Sequence, residues 1–152
     1  MSADCSRPRE RWSWAVSSSG ERSAGLGDPM TAPFWAAAER HQFILQRCAA
    51  CGAHQFYPRP FCLVCGSAEV AWVPSAGRGT IYAQTTVHVP VIPELEPPYV
   101  VALVQLDEGP RLMTNLIDVE PSPDDIVCDM PVEVAWQDAT DEITLPLFRP
   151  AK

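Results

Sequence analysis

Cys48-Ala49-Ala50-Cys51-Gly52 and Cys62-Leu63-Val64-Cys65-Gly66, separated by residues 53–61, are two copies of one local pattern. Each Cys-x-x-Cys-Gly sets two sulfurs on a tight turn, and the closing glycine takes a backbone conformation that lets amides point at sulfur. Two such knuckles facing one another present four thiolates at tetrahedral positions, the ligand set of a structural zinc. Arg47 and Arg59 stand close in sequence to offset the residual negative charge. A metal held this way contributes on the order of 10 kcal/mol to a module too small for a core of its own. Iron fits four thiolates equally well. Two disulfides suit a reducing compartment poorly, and a redox Cys-x-x-Cys usually occurs once, at a helix start. Cys48, Cys51, Cys62 and Cys65 are thus the expected metal ligands, with zinc the preferred ion. Cys5 and Cys128 have no partner at ligand spacing and read as a tail thiol and a buried small residue.

Between the knuckles, His54-Gln55-Phe56-Tyr57-Pro58-Arg59-Pro60-Phe61 concentrates aromatic residues around one cation. Phe56, Tyr57 and Phe61 suit stacking on a base or an adenine ring, with Arg59 meeting a phosphate. The stronger reading is packing, since small metal modules recruit aromatics to build a core at all. Upstream, residues 33–42 predict a short helix: Pro33 suits its first turn and Ala36-Ala37-Ala38 has high helix propensity. Phe34, Trp35 and Ala38 form an apolar stripe on a helix too short to be stable alone. It must dock on its own domain or on a partner. Residues 1–29 lack periodicity and read as a disordered tail, or as an over-extended reading frame with Met30 the true start.

Downstream the pattern changes to strands. Residues 80–89 alternate, with Ile81, Ala83, Thr85, Val87 and Val89 expected on one face. Residues 99–106 are apolar enough for a central, doubly buried strand. Asp107-Glu108-Gly109-Pro110 is a turn, and residues 111–117 return as the second arm of a hairpin. Residues 131–137 alternate, and residues 143–148 close the set, Pro146 marking an edge. The expected fold is therefore mainly β: an N-terminal helix (30–42), a zinc ribbon (43–73), and a five-stranded, partly open barrel of the OB type (77–150).

Composition narrows the function. A chain of 152 residues suits one compact domain or a small module plus one domain. Its apolar runs are far too short for a membrane helix, and nothing resembles a signal-peptide core, so a cytoplasmic location is expected. Sixteen prolines, against an ordinary share of about 5%, disfavour long helices. Residues 80–152 carry Arg111, Arg149 and Lys152 against thirteen acidic residues, a net of −10. Such a barrel opposes a phosphate backbone, and nonspecific nucleic-acid affinity comes from neutralising phosphates. Single-stranded nucleic-acid binding is thus the alternative function, sustained by a patch at Arg47, Arg59 and Arg78. His41, His54 and His88 have no nucleophile at a recognisable spacing. No catalytic set emerges, and the chain is expected to do no chemistry by itself.

Several motifs recur in one known order: Pro33-Phe34-Trp35, the paired knuckles, Tyr57-Pro58-Arg59-Pro60, Gly77-Arg78-Gly79-Thr80-Ile81-Tyr82, the run from Pro98 to Val104, and Met130-Pro131-Val132-Glu133-Val134. Across about residues 30–150 the chain resembles the rubredoxin-like zinc-ribbon plus OB-fold family associated with acyl-CoA metabolism. The resemblance implies an accessory subunit of a thiolase-like enzyme (aldolase, thiolase or acyltransferase) that acts on acyl-CoA thioesters in steroid, lipid or aromatic catabolism. The partner would supply catalysis, and acyl-CoA would be a ligand shared with it. On that expectation Phe34, Trp35, Phe56 and Tyr57 face the partner, while Arg59 and Arg78 meet CoA phosphates. One departure is Asp129, where the family often has glycine, which puts that turn's geometry in question.

Overall fold

The computed structural model describes residues 28–91, 95–122, 125–140 and 143–151. The expected tail falls almost wholly outside them, as does Cys5. Asp28 opens the described chain with an Asx-type turn. Its carboxylate accepts the Met30 amide at 2.9 Å, and its carbonyl accepts the Thr31 and Ala32 amides, both at 3.0 Å. Helix α1 (Ala32–Ala38) follows with Pro33 in its first turn. It is shorter than expected because the chain reverses through His41, whose φ of 54° is left-handed, and the Gln42 amide returns to the Ala37 carbonyl. Phe34, Ala37 and Ala38, spaced i, i+3, i+4, are buried. The helix therefore docks on its own domain.

Three short strands make the ribbon: β1 (Ile44–Cys48), β2 (His54–Gln55) and β3 (Val70–Pro74), antiparallel in the order β2-β1-β3. Five more, β4 (Arg78–Val87), β5 (Tyr99–Leu106), β6 (Arg111–Leu116), β7 (Pro131–Thr140) and β8 (Ile143–Pro150), close into a barrel of order β4-β5-β6-β8-β7. One hydrophobic cluster serves all three parts. Phe34 of the helix, with Phe43 and Leu45 at the ribbon's start, joins Ile81, Val104, Leu106, Val132 and Phe148 of the barrel. The rings of Phe34 and Phe43 pack edge to face at 6.0 Å, as do those of Phe43 and Phe148.

The barrel departs from the expected pattern in four places. It is closed rather than partly open, because β4 pairs with β7 at Gly79 and Val132 as well as with β5. The pairing of β4 with β5 slips between Ile81 and Ala83, a bulge that reverses the alternation: Ile81 is fully buried while Thr85 is exposed. Strand β5 is fully buried along one face, at Val100, Ala102, Val104 and Leu106, while on the other Leu103 is 38% exposed. Strand β8 is not an edge, since it lies between β7 and β6. Its link to β6 is a single parallel bridge, Leu116 with Phe148, so the missing amide of Pro146 costs no ladder bond there.

Closure depends on close backbone approach. A Cβ on Gly79 would lie 2.3 Å from the Gln105 carbonyl oxygen. The turn into β7 places Asp129 at φ 64°, the left-handed conformation that a glycine would take without cost. Asp is among the few other residues that adopt it readily. Asp129 and Met130 then exchange hydrogen bonds with Ile81 at 2.8 and 3.0 Å, extending the β4–β7 seam.

Candidate metal centre and junction cleft

The knuckles close as the sequence implies. Gly52 and Gly66 have φ of 75° and 76°, and their amides donate to the carbonyls of Cys48 and Cys62, each at 2.9 Å. Cys48 Sγ lies 3.6 Å from Cys65 Sγ, and Cys51 Sγ lies 3.6 Å from Cys62 Sγ. All four sulfurs fall within 4.8 Å of one another. A tetrahedron with metal–sulfur bonds of about 2.3 Å has edges of about 3.8 Å, so the four positions fit a tetrathiolate ion. In each knuckle the first cysteine is buried and the second exposed. Amides of Cys65 and Val64 lower the Cys62 thiol to about 6. At Cys51 the Ala53 amide pulls downward, but desolvation and hydrogen bonding to the other three sulfurs push it up to about 12. Four crowded sulfurs do not all ionise without a cation, which is the chemistry a divalent metal supplies.

Arg47 lies against the first knuckle, its Nε 3.4 Å from the Gly52 carbonyl. Arg59 instead turns its guanidinium to the Pro58 carbonyl at 3.2 Å. Cys128 is exposed, not buried as expected; it follows the loop outward and its thiol donates to the Tyr82 carbonyl at 3.6 Å. His41 stacks on Trp136 at 5.5 Å and lies 3.5 Å from Asp138, which ties the helix end to β7.

A cleft of about 160 Å³ opens where helix, ribbon and barrel meet. Phe34, Trp35, Phe56 and Tyr57, the four residues expected to face a partner, all line it. They differ in availability. Phe34 is only 5% exposed and belongs to the core, so it shapes the cleft floor, whereas Tyr57 is 52% exposed. Leu112, Met113 and Pro146 of the barrel line the other side. The sequence reading missed these, because strand alternation does not show which part of the fold packs beside β6 and β8. Phe61, Leu63 and Val64, at and inside the second knuckle, are also exposed. Arg59 is exposed and follows the lining residue Pro58 in sequence; Arg78 is exposed at the start of β4 and lines no cavity described here.

A tetracysteine ribbon fused by a shared core to a closed five-stranded barrel defines a class of two-part β modules, and comparison with known proteins gives the family. Residues 35–71 match the model of the ChsH2 rubredoxin-like zinc ribbon domain, and residues 72–137 match that of the ChsH2 C-terminal OB-fold domain. The chain belongs to this ChsH2/DUF35 family. It is 47% identical over 119 residues to a probable enoyl-CoA hydratase alpha subunit of Thermomonospora curvata, covering 78% of this chain and 37% of the relative. It is 33% identical over 111 residues to the 3-oxo-4,17-pregnadiene-20-carboxyl-CoA hydratase alpha subunit of Mycobacterium tuberculosis, covering 73% of this chain and 35% of the relative. The chain thus spans little more than a third of those two proteins. A DUF35 domain-containing scaffold protein of Methanocaldococcus jannaschii is 33% identical, with 74% of this chain and 80% of the relative covered. Among solved structures, the Ltp2-ChsH2(DUF35) aldolase superposes with a TM-score of 0.74 at 44% identity, covering 82% of this chain and 97% of the matched chain. No helix among the described residues is long and apolar enough to cross a membrane.

Proposed function

We propose that this chain is a non-catalytic, zinc-holding subunit that docks on a thiolase-like enzyme acting on acyl-CoA thioesters. The observation that carries the reading is the junction cleft. Apolar side chains from three separate parts of the fold converge on one opening, and Tyr57 and Met113, each more than half exposed, present it to a partner's side chains. The likeness to an aldolase assembly and to proteins called scaffolds supports a helper role. Cys48, Cys51, Cys62 and Cys65 hold the zinc. When bound, it supplies cross-linking and charge neutralisation, while the chain's own residues shape the docking surface. Arg59, beside Pro58 on the cleft loop, is the cation best placed for a CoA phosphate; Arg78, at the mouth of β4, is a second.

Two relatives are named as hydratase alpha subunits, which favours a second reading in which the partner is a hydratase. The two readings separate in one experiment. The full chain is co-expressed with a thiolase-like enzyme, or with a hydratase subunit, encoded beside it. The expected result is a stable complex with the thiolase-like enzyme and a loss of soluble, active enzyme when the chain is omitted. An enzyme equally soluble and active alone contradicts the proposal. A complex formed only with the hydratase subunit selects the second reading.

A further inference from the structure

Two buried glutamines hold the ribbon together in a way that the four cysteines do not explain. Gln46 and Gln55 are 3% and 7% exposed and face each other across the β1–β2 pair. Gln55 Nε2 donates to Gln46 Oε1 at 2.9 Å and to the Phe61 carbonyl at 3.1 Å. Gln55 Oε1 accepts the Leu63 amide at 3.0 Å, inside the second knuckle between ligands Cys62 and Cys65. Gln46 Oε1 also accepts the Arg59 amide at 2.8 Å, inside the loop that carries Phe56, Tyr57 and Pro58 into the cleft. Gln46 Nε2 reaches Met30 Sδ at 3.9 Å, before the helix.

Buried amides are retained at such a site only where their hydrogen bonds are met, and here nearly all are met by one knuckle and one loop. We infer that the Gln46–Gln55 pair is a positioning clamp that couples the metal centre to the docking cleft. Gln55 fixes the second knuckle at the spacing the ion needs, and Gln46 fixes the cleft loop against the same point. The zinc and the cleft surface are therefore set together. Groups that orient a metal's ligands without touching the ion typically change affinity 10- to 100-fold when removed. This inference rests on the reading of the four cysteines as a zinc site.

The test uses the zinc-loaded full chain, with zinc release to a chromophoric chelator, the cobalt(II)-thiolate absorption of the cobalt-substituted chain, and amide exchange. Gln55→Leu is expected to release zinc 10- to 100-fold faster and to shift the cobalt spectrum. Gln46→Leu, which removes no bond to the knuckle, is expected to speed release severalfold by freeing Gln55. Gln55→Glu keeps an acceptor for the Leu63 amide but turns an oxygen toward the Gln46 and Phe61 oxygens, so it too is expected to release zinc faster than the wild type. In the wild type, the Arg59 and Leu63 amides should exchange as slowly as the backbone-bonded Gly66 amide, a measurement that stands even if a variant does not fold. Wild-type release rates in both leucine variants, or fast exchange at Arg59 and Leu63 with zinc bound, overturns the clamp alone. A wild-type chain that holds no zinc overturns the zinc reading and the coupling together.

Discussion

Single residues carry the conformational exceptions on which closure depends. Asp129 occupies a left-handed position that a β-branched residue would adopt at a cost of about 1–2 kcal/mol. Asp129→Val should lower stability by about that amount in urea denaturation, whereas Asp129→Gly should be neutral or slightly stabilising. Gly79 is constrained by space rather than by φ: a methyl group there meets the Gln105 carbonyl, and Gly79→Ala should cost roughly 2–3 kcal/mol through forced separation of β4 from β5. Asp138 gives a pH signature. The Thr144 hydroxyl at 2.8 Å, and then His41, hold its carboxyl below the ordinary 3.8. A carboxyl lowered in the fold contributes stability above its unfolded pKa, and that contribution is lost as pH falls through the folded value. The difference in denaturation midpoint between wild type and Asp138→Asn should thus shrink as pH falls below about 4.

At the scale of elements, the ribbon and the barrel share a core through Phe34, Phe43 and Leu45, so they should not melt separately. Zinc removal is expected to lower a single thermal transition by roughly 10 °C or more, followed by circular dichroism. Two resolved transitions would argue against the shared core. Phe34→Ala should cost about 3–5 kcal/mol, because the ring contacts Phe43, Phe56 and Trp72 at once. The cysteine knuckles were readable because their spacing is the chemistry itself. The helix, the ribbon and the five strands were readable because periodicity and proline placement follow from burial. The reversal of alternation in β4 was not, because one inserted residue leaves no compositional trace. The closed seam was hidden as well, resting on backbone contacts at Gly79 and Asp129. Gln46 left a faint signal: it lies two residues before Cys48, on the same face of β1, and so points toward the metal side.

At the scale of the whole molecule, the acidic barrel, the tetracysteine site and the apolar cleft are the features on which the proposed helper role rests. Of its exposed apolar residues, Tyr57 and Met113 line the cleft itself. The most direct measurement is the dissociation constant between the zinc-loaded chain and the proposed thiolase-like partner, compared with that of Tyr57→Asp and Met113→Asp. Both residues are more than half exposed, so the variants should keep the wild-type melting temperature while binding 10-fold or more weaker. Wild-type affinity in both variants, or no binding by the wild-type chain, would contradict the account.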